Sequence, residues 1–297
     1  MINFHGNHKK KKFFEGWYFK HQRKDNTIAF IPGINIDSRG YKYAFIQVIT
    51  SKLSYNIKYS FLDFKVSKNE FKIKIGNNIF SKDGIYIDIK DENLIIKGEV
   101  KYGELTPIKY DIMGPFKYVP FMECNHGVLS MYHKLKGKFI INNEEINLNN
   151  GIGYIEKDFG TSFPKEYLWA QCNLFENTTE DYKCSIMASV ANIPFMGGNF
   201  RGCICIVYYK DKEYRLATYN GVRVLKYSND SLVLKRGKYK LEIKVMSQKP
   251  QKLLAPLKGN MEKIIHENSA CRATFKFYIN KKLVFNLYSN NCSFEYV

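Results

Sequence analysis

The segment Gly153-Tyr-Ile-Glu-Lys-Asp-Phe-Gly-Thr-Ser-Phe-Pro-Lys-Glu-Tyr-Leu-Trp-Ala-Gln-Cys-Asn-Leu-Phe175 sets acids, amides and aromatic rings in two short strand-like runs around a Gly/Pro turn. Strand side chains alternate with period two, so Tyr154, Glu156 and Asp158 share one face of the first run. In the second run Trp169, Gln171, Asn173 and Phe175 share a face, and Leu168, Ala170, Cys172 and Leu174 share the other. A face mixing Trp, Phe, Gln and Asn fits neither a dry core nor a solvated surface. It fits the wall of a ligand cavity, mostly apolar with a few placed polar groups. On one strand, Glu156 and Asp158 would lie roughly 6.5–7 Å apart. Their repulsion would raise the pKa of one of them and keep a proton available for acid catalysis. The same residues also suit a structural ion pair or a turn.

The rest of the chain must build a scaffold that holds these runs in place. Its 297 residues suffice for one large domain or two of about 150 each. Hydrophobic residues make up 45% and aromatics 15%, including 22 Tyr and 22 Phe, which points to a globular, strand-rich chain. Alternating runs recur at 27–36, 42–50, 55–64, 70–75, 85–89, 94–102 and 127–133. They resume at 184–191, 202–210, 213–219, 222–227, 231–235, 239–246, 270–279 and 283–289. Turn chemistry separates them, as at Pro32-Gly33, Asp83-Gly84 and Arg236-Gly237-Lys238. No long amphipathic helix is visible. Short, evenly spaced strands predict an all-β protein of sandwiches or barrels. The comparable runs of strands divide it into halves at 1–136 and 137–297.

The net charge of +18 reflects either a Lys-rich composition or attraction to an anion. The one dense basic run, Lys9-Lys10-Lys11-Lys12, reads as a solvated tail or as a weak anchor on anionic lipid. No zinc-finger spacing or helix-turn-helix pattern supports nucleic-acid binding. The basic run leads into Phe13-Phe14-Glu15 rather than an apolar h-region of about 7–15 residues, so no signal peptide is expected. No apolar stretch approaches the ~18 residues of a membrane span. Seven cysteines without CxxC spacing read as buried, reduced thiols. A soluble cytoplasmic protein, peripheral to a membrane at most, is the expectation.

Two motifs carry a resemblance. Phe13-Phe-Glu-Gly-Trp-Tyr-Phe-Lys20 resembles the N-terminal signature of the tocopherol cyclase family, and Glu156–Asn173 is similar to that family's central Glu-Lys-(Asn/Asp)-Trp-Gly-x-x-Phe-Pro-x-x-Trp-x-Trp-x-Gln-x-Asn block. Tyr219–Val222, Leu254–Pro256 and Ser289–Glu295 extend the similarity over most of the chain. The resemblance implies two lipocalin-like (calycin) antiparallel barrels or sandwiches in tandem, akin to carotenoid hydratases. Known cyclases of the family protonate an alkene in the prenyl tail of a quinol, and the phenol oxygen adds to the cation. That chemistry needs a buried carboxylic acid, aromatic faces for the cation, an acceptor for the phenol and a dry pocket. It needs no metal and no organic cofactor. The implied ligand is a hydrophobic small molecule, a prenylated quinol or other isoprenoid lipid, which a non-catalytic calycin would simply carry.

By this resemblance Glu156 is the first choice for the acid, with Asp158 orienting, since plant cyclases carry Asn there. Trp169 is the choice for the cation, with Trp17 and Tyr18 as further walls and Gln171 and Asn173 as binders of the quinol oxygens. Glu123 and His126 form a potential acid and orienting pair, with His126 as base for the phenol. His133 also matches a family position, and Glu15 would be polar at the first barrel's opening. Phe159 and Tyr167 stand where the family has Trp.

Overall fold

The computed structural model describes all residues except 1–3, 25, 121, 180–181, 196–197 and 248–249. Its strands fall, in chain order, into two antiparallel sheets. The first holds β1 (Phe13–Arg23), β2 (Asn26–Ile36), β3 (Lys42–Thr50), β4 (Ser54–Ser60), β5 (Phe64–Val66), β6 (Lys72–Ile75), β7 (Asn78–Ser81), β8 (Gly84–Asp91), β9 (Leu94–Tyr102), β10 (Cys124–Ile141), β11 (Glu144–Asn147) and β12 (Gly151–Gly160). The second holds β13 (Tyr167–Cys172), β14 (Cys184–Phe195), β15 (Gly198–Tyr209), β16 (Lys212–Arg215), β17 (Arg223–Ser228), β18 (Ser231–Arg236), β19 (Tyr239–Ser247), β20 (Gln251–Leu257), β21 (Asn260–Ile279) and β22 (Lys282–Tyr296). Among the described residues the helical segments are short 3-10 turns.

The chain changes sheet between Gly160 and Tyr167. Position 136, where comparable strand runs suggested a division, lies within β10. That strand crosses it unbroken, with Lys136 paired to Lys101 and Gly137 to Val100 of β9. Gly137 is no linker glycine. Its φ is 144° and an added Cβ would lie 2.1 Å from the carbonyl oxygen of Glu99, so it marks a close backbone approach.

Both sheets wrap. The first runs β4-β3-β2-β1-β12-β10-β9-β8-β7-β6-β5. Its far ends meet where Asn78 of β7 donates to the Tyr59 hydroxyl of β4 at 3.3 Å. The second runs β16-β15-β14-β13-β22-β21-β19-β18-β17, and its ends meet where Arg236 of β18 donates to the carbonyl of Arg215 of β16. Register shifts in β10 and β21 supply the bends that long strands need to curve. Each wrapped sheet encloses its own apolar core, around Trp17, Phe19, Phe30 and Phe139 in the first and around Phe275, Phe277, Leu234 and Phe294 in the second.

A third cluster lies between the two sheets, built from Tyr18, Tyr154, Trp169, Met187, Ile206 and Ile265 among others. The strands along this seam are therefore buried on both faces, and β12 and β13 show almost no polar alternation in burial. Along β12, Ile155 faces the first core while Tyr154 faces the seam. Along β13, Leu168 and Ala170 face the second core while Tyr167 and Trp169 face the seam. Phe175 joins the second core, because β13 ends at Cys172 and the alternation ends with it.

Candidate active site

A cavity of about 180 Å³ opens in the seam. Aromatic and aliphatic side chains line most of it, and the polar groups that reach it are chiefly Tyr18, His126, Glu156, Asp158, Glu267 and Glu295. It lies between the two sheets and outside both enclosed cores.

Glu156 is its most constrained carboxyl. The Tyr154 hydroxyl donates to its Oε2 at 2.6 Å and the Trp169 indole N–H at 3.3 Å. His126, from the neighbouring strand β10, sits between two acids. Its Nδ1 is 2.8 Å from Asp158 Oδ1 and its Nε2 is 3.4 Å from Glu156 Oε2. The strand pairing explains the grouping, since His126 is the Cα partner of Asp158, and Tyr18 of β1 is the partner of Glu156.

Burial is the largest influence on Glu156. It pushes the carboxyl up to about 7, helped by the charge of Asp158 and opposed by the positive charge of His126 and by the Tyr154 and Trp169 hydrogen bonds. Burial alone would lower the His126 pKa. The carboxylates of Asp158 and Glu156 outweigh it and lift the imidazole to about 9. The three side chains offer ligand atoms within 4.8 Å of one another, close enough in principle for a cation. Each ring nitrogen of His126 already faces a carboxylate oxygen, so the set also closes as a carboxylate–imidazolium–carboxylate cluster.

A second acidic pair lines the same cavity. Glu267 of β21 and Glu295 of β22 are Cα partners on adjacent strands, and both are buried. The Tyr18 hydroxyl donates to Glu267 at 2.7 Å and the Tyr167 hydroxyl to Glu295 at 2.6 Å. Burial raises Glu267 to about 8, with the charge of Glu295 adding to it, and burial raises Glu295 to about 7. Tyr18 also meets Trp169 edge to face at 5.5 Å, so aromatic faces and acids alternate around the cavity.

Not every residue singled out in the sequence reaches this place. Glu156, Asp158, His126, Trp169 and Tyr18 line the cavity together. Glu123 is exposed, and His126 pairs with Asp158 and Glu156 instead of with it. Trp17 and Glu15 point the other way from β1. Trp17 is in the first core under the Lys157 ammonium, and Glu15 is buried in an ion pair with Lys157 at 2.6 Å. Gln171 shares the seam with Trp169 but lies beyond the cavity, where its Oε1 accepts from the buried Lys20 at 2.7 Å. The Asn173 amide donates to the Gly153 carbonyl at 2.9 Å. His133 is buried against Tyr102 and bonded to the Ser130 hydroxyl at 3.0 Å. These residues stiffen the seam and the first core. Phe159, one of the two departures from the family pattern, stacks on His5 away from the cavity, whereas Tyr167 keeps a ring in the cavity.

Sequence reasoning missed Glu267 and the pairing of Glu295 with it. Met261–Ser269 has no clear apolar alternation, so the strand was expected to begin only at Ala270. Ser289–Glu295 carried a family resemblance but no hint of its partner.

Comparison with known proteins agrees with this architecture. A crystal structure of a candidate AttH protein from Nitrosomonas europaea superposes with a TM-score of 0.55 at 12% identity, covering 96% of this chain and 93% of that one. Kievitone hydratase from Nectria haematococca superposes with a TM-score of 0.50 at 12% identity, covering 96% and 88%. At such low identity the shared property is the fold, and it spans both sheets, as expected for two lipocalin-like units in tandem. A rice (Oryza sativa subsp. japonica) protein named "Probable tocopherol cyclase, chloroplastic" is 22% identical over 121 residues, 40% of this chain. The chain spans about a quarter (26%) of the length of that relative. The profile described as tocopherol cyclase-like matches residues 89–296, which include every acid of the cavity and more than two thirds of the sequence, and the chain belongs to that family.

Proposed function

We propose that this chain is an acid–base enzyme acting on an isoprenoid or prenylated phenolic lipid: it protonates a carbon–carbon double bond and lets an oxygen close on, or water add to, the resulting cation. One observation carries the reading. Buried carboxyl groups whose protons are held near neutral pH line a largely apolar cavity alongside Trp169, Tyr18 and Tyr167. A carboxylic acid with such a pKa is matched to proton transfer at physiological pH. The aromatic faces would stabilise a tertiary cation, and the dry walls would keep bulk water from it. Glu156 is the central acid–base residue of this reading, with His126 and Asp158 setting its charge. The rice relative's name and the hydratase likeness agree with the choice between cyclisation and hydration.

The test is incubation with a prenylated hydroquinone, with native mass spectrometry of the purified protein for a retained isoprenoid. A chromanol or a hydrated product supports the enzyme. A carrier for hydrophobic ligands is the competing reading, and Glu156→Gln separates the two. Retained binding with turnover lost excludes the carrier, while bound ligand that neither protein converts excludes the enzyme for that ligand.

Two finer points belong to the same proposal. Six of the seven unpaired cysteines are buried, which suits a reducing compartment such as the cytoplasm. Among the described residues no helix is long and apolar enough to cross a membrane. The exposed Lys9–Lys12 run ends against the Lys258–Gly259 turn, where Lys12 Cα lies 2.4 Å from an added Gly259 Cβ. The neighbouring Met261, with Phe163 and Pro164, is half-buried at the edge of the cavity. This arrangement supports peripheral contact with an anionic membrane, each lysine contributing about 1 kcal/mol near the surface. Co-sedimentation with vesicles that contain phosphatidylserine, lost in a variant with Lys9–Lys12 changed to Ala, tests it.

A further inference from the structure

Two separate groups of acids meet one cavity, and the proposed reaction both gives and receives a proton. Building on the proposed function, we propose that Glu267 and Glu295 are a catalytic carboxyl pair sharing the proton that is delivered to the alkene, while Glu156 receives the proton of the attacking hydroxyl.

The geometry separates the two roles. Glu267 and Glu295 sit opposite each other on adjacent strands, both buried and both open to the cavity. Each is held by a tyrosine hydroxyl, and Lys20, the cation that acts on Glu267, is bonded to Gln171 instead. Two carboxylates this close in apolar surroundings cannot both stay ionised, so one proton remains between them at neutral pH. Glu156 lies beside the His126 ring, a cation that favours its carboxylate form. Burial raises all three carboxyls, and the neighbouring charges then act oppositely, since His126 lowers Glu156 whereas Glu295 raises Glu267.

The step balances. An O–H bond of the pair breaks as the alkene's π electrons form a C–H bond, leaving the pair with one more negative charge. The tertiary cation forms beside Trp169 and Tyr18. A lone pair of the phenol or water oxygen closes the C–O bond, and that oxygen's proton passes to the Glu156 carboxylate. After product leaves, Glu156 loses the proton and the pair regains one from solvent, so nothing is oxidised or reduced.

The test uses the full chain and has two arms. Infrared spectroscopy at neutral pH reads the C=O stretch of a protonated carboxylic acid. The band is expected in wild type and in Glu156→Gln, and in the Glu156→Gln background, where Glu156 no longer contributes, it is lost when Glu267→Gln and Glu295→Gln are combined. A wild-type spectrum without the band, or a band untouched by the double substitution, overturns the assignment. The groups facing the pair are Tyr18 and Lys20 on β1, Glu156 and Asp158 on β12, Tyr167 on β13 and Lys263 on β21. None of them differs between the Glu156→Gln background and the double substitution made in it, so the band's loss reports the pair.

The second arm follows a prenylated hydroquinone with a trisubstituted alkene in heavy water. One deuteron is expected on the alkene carbon. Each single variant keeps measurable turnover, because the remaining carboxyl can still hold a proton. The double variant is slowed by about 100-fold or more with binding retained. A folded double variant that binds the probe and turns it over within about twofold of wild type refutes the pair's role. If wild type converts no prenylated hydroquinone, the proposed reaction fails for that substrate class, and the infrared arm still decides whether the pair holds a proton.

Discussion

Raising the pH should destabilise this protein through its own cavity, and Glu267→Gln should blunt the effect. The Glu267 carboxyl is raised from an ordinary 4.5 to about 8 by burial first and by Glu295 second. For an acid held above its unfolded value, the stabilisation is complete below the unfolded pKa and is lost as pH climbs to the folded one. The folded state then binds more protons than the unfolded state, so stability falls with pH across that window. The slope reaches about 1.4 kcal/mol per pH unit for one group, and from pH 5 to 8 Glu267 removes on the order of 4 kcal/mol. Glu156 and Glu295 act in the same direction up to about 7. His126, also raised, continues the loss from its ordinary 6.5 to about 9. His21, lowered to about 3, and the lowered Lys20 act in the opposite sense, but they are common to both proteins and cancel in the difference. The assay is urea unfolding of wild type and Glu267→Gln at intervals from pH 5 to 8. Relative to wild type, the variant should gain stability with pH, by up to about 4 kcal/mol at the top of the range. Glu295 is itself raised from 4.5 to about 7, chiefly by burial, so the double Gln variant should be flatter still. A variant as steep as wild type would refute the claim that burial holds a proton on Glu267.

Other expectations follow from which way each side chain faces. Trp169→Phe keeps a ring at the cavity but removes the indole N–H that reaches Glu156, so turnover should fall roughly tenfold or more, in line with about 1.5–3 kcal/mol for a hydrogen bond to a charged group, while stability changes less. Glu15→Gln leaves the Lys157 ammonium buried beside Trp17 without its carboxylate, and should cost about 3–5 kcal/mol in urea unfolding with little effect on the activity of the remaining folded protein. Gly153→Ala would set a Cβ 2.1 Å from His133 Nε2 in a packed interior, which calls for a melting-temperature drop of several degrees. An unchanged melting temperature would mean that the His133 ring can move aside.

Much of the architecture was legible in the residues. Lys42–Thr50 and Leu94–Tyr102 are strands at the bounds that their alternation predicted. Tyr154 and Glu156 do share a face, because period-two alternation survives whatever the sheet packs against. That rule also excludes a pairing the motif alone suggested, since Trp17 and Tyr18 are consecutive in β1 and only one of them can face the cavity. Periodicity could not say how far along a strand the cavity runs. Gln171 has the parity of Trp169 but lies past the cavity's end, where its Oε1 accepts from Lys20. Nor could it say what packs on the other side of β12 and β13, since both faces of these strands are largely buried. The partnership of Glu267 with Glu295 depends on the register of one hairpin, 28 residues apart in sequence, and no local pattern encodes it.

The location of the cavity between the sheets bears on its chemistry. A pocket inside one wrapped sheet would take its polar groups from neighbouring strands of a single unit. Here Glu156, Asp158 and His126 come from the first sheet, and Trp169, Glu267 and Glu295 come from the second. The key contacts cross the seam. The Trp169 N–H reaches Glu156, and the Tyr18 hydroxyl reaches Glu267. The opposite sheet thus helps cover Glu156 and Glu267, and burial is the largest cause of every raised carboxyl in the cavity. The same docking is held by Gln47, whose side-chain amide both donates to and accepts from the backbone of Leu254 at 3.0 Å, and by Lys20 and Gln22, which donate to Gln171 and to the Asn291 carbonyl. The Gln47–Leu254 contact is at the cavity wall and the Lys20 and Gln22 contacts lie beyond it, and together they fix how closely the sheets approach and hence how dry the acids are. In this fold, docking of the two sheets and the tuning of their carboxyl groups are one physical event.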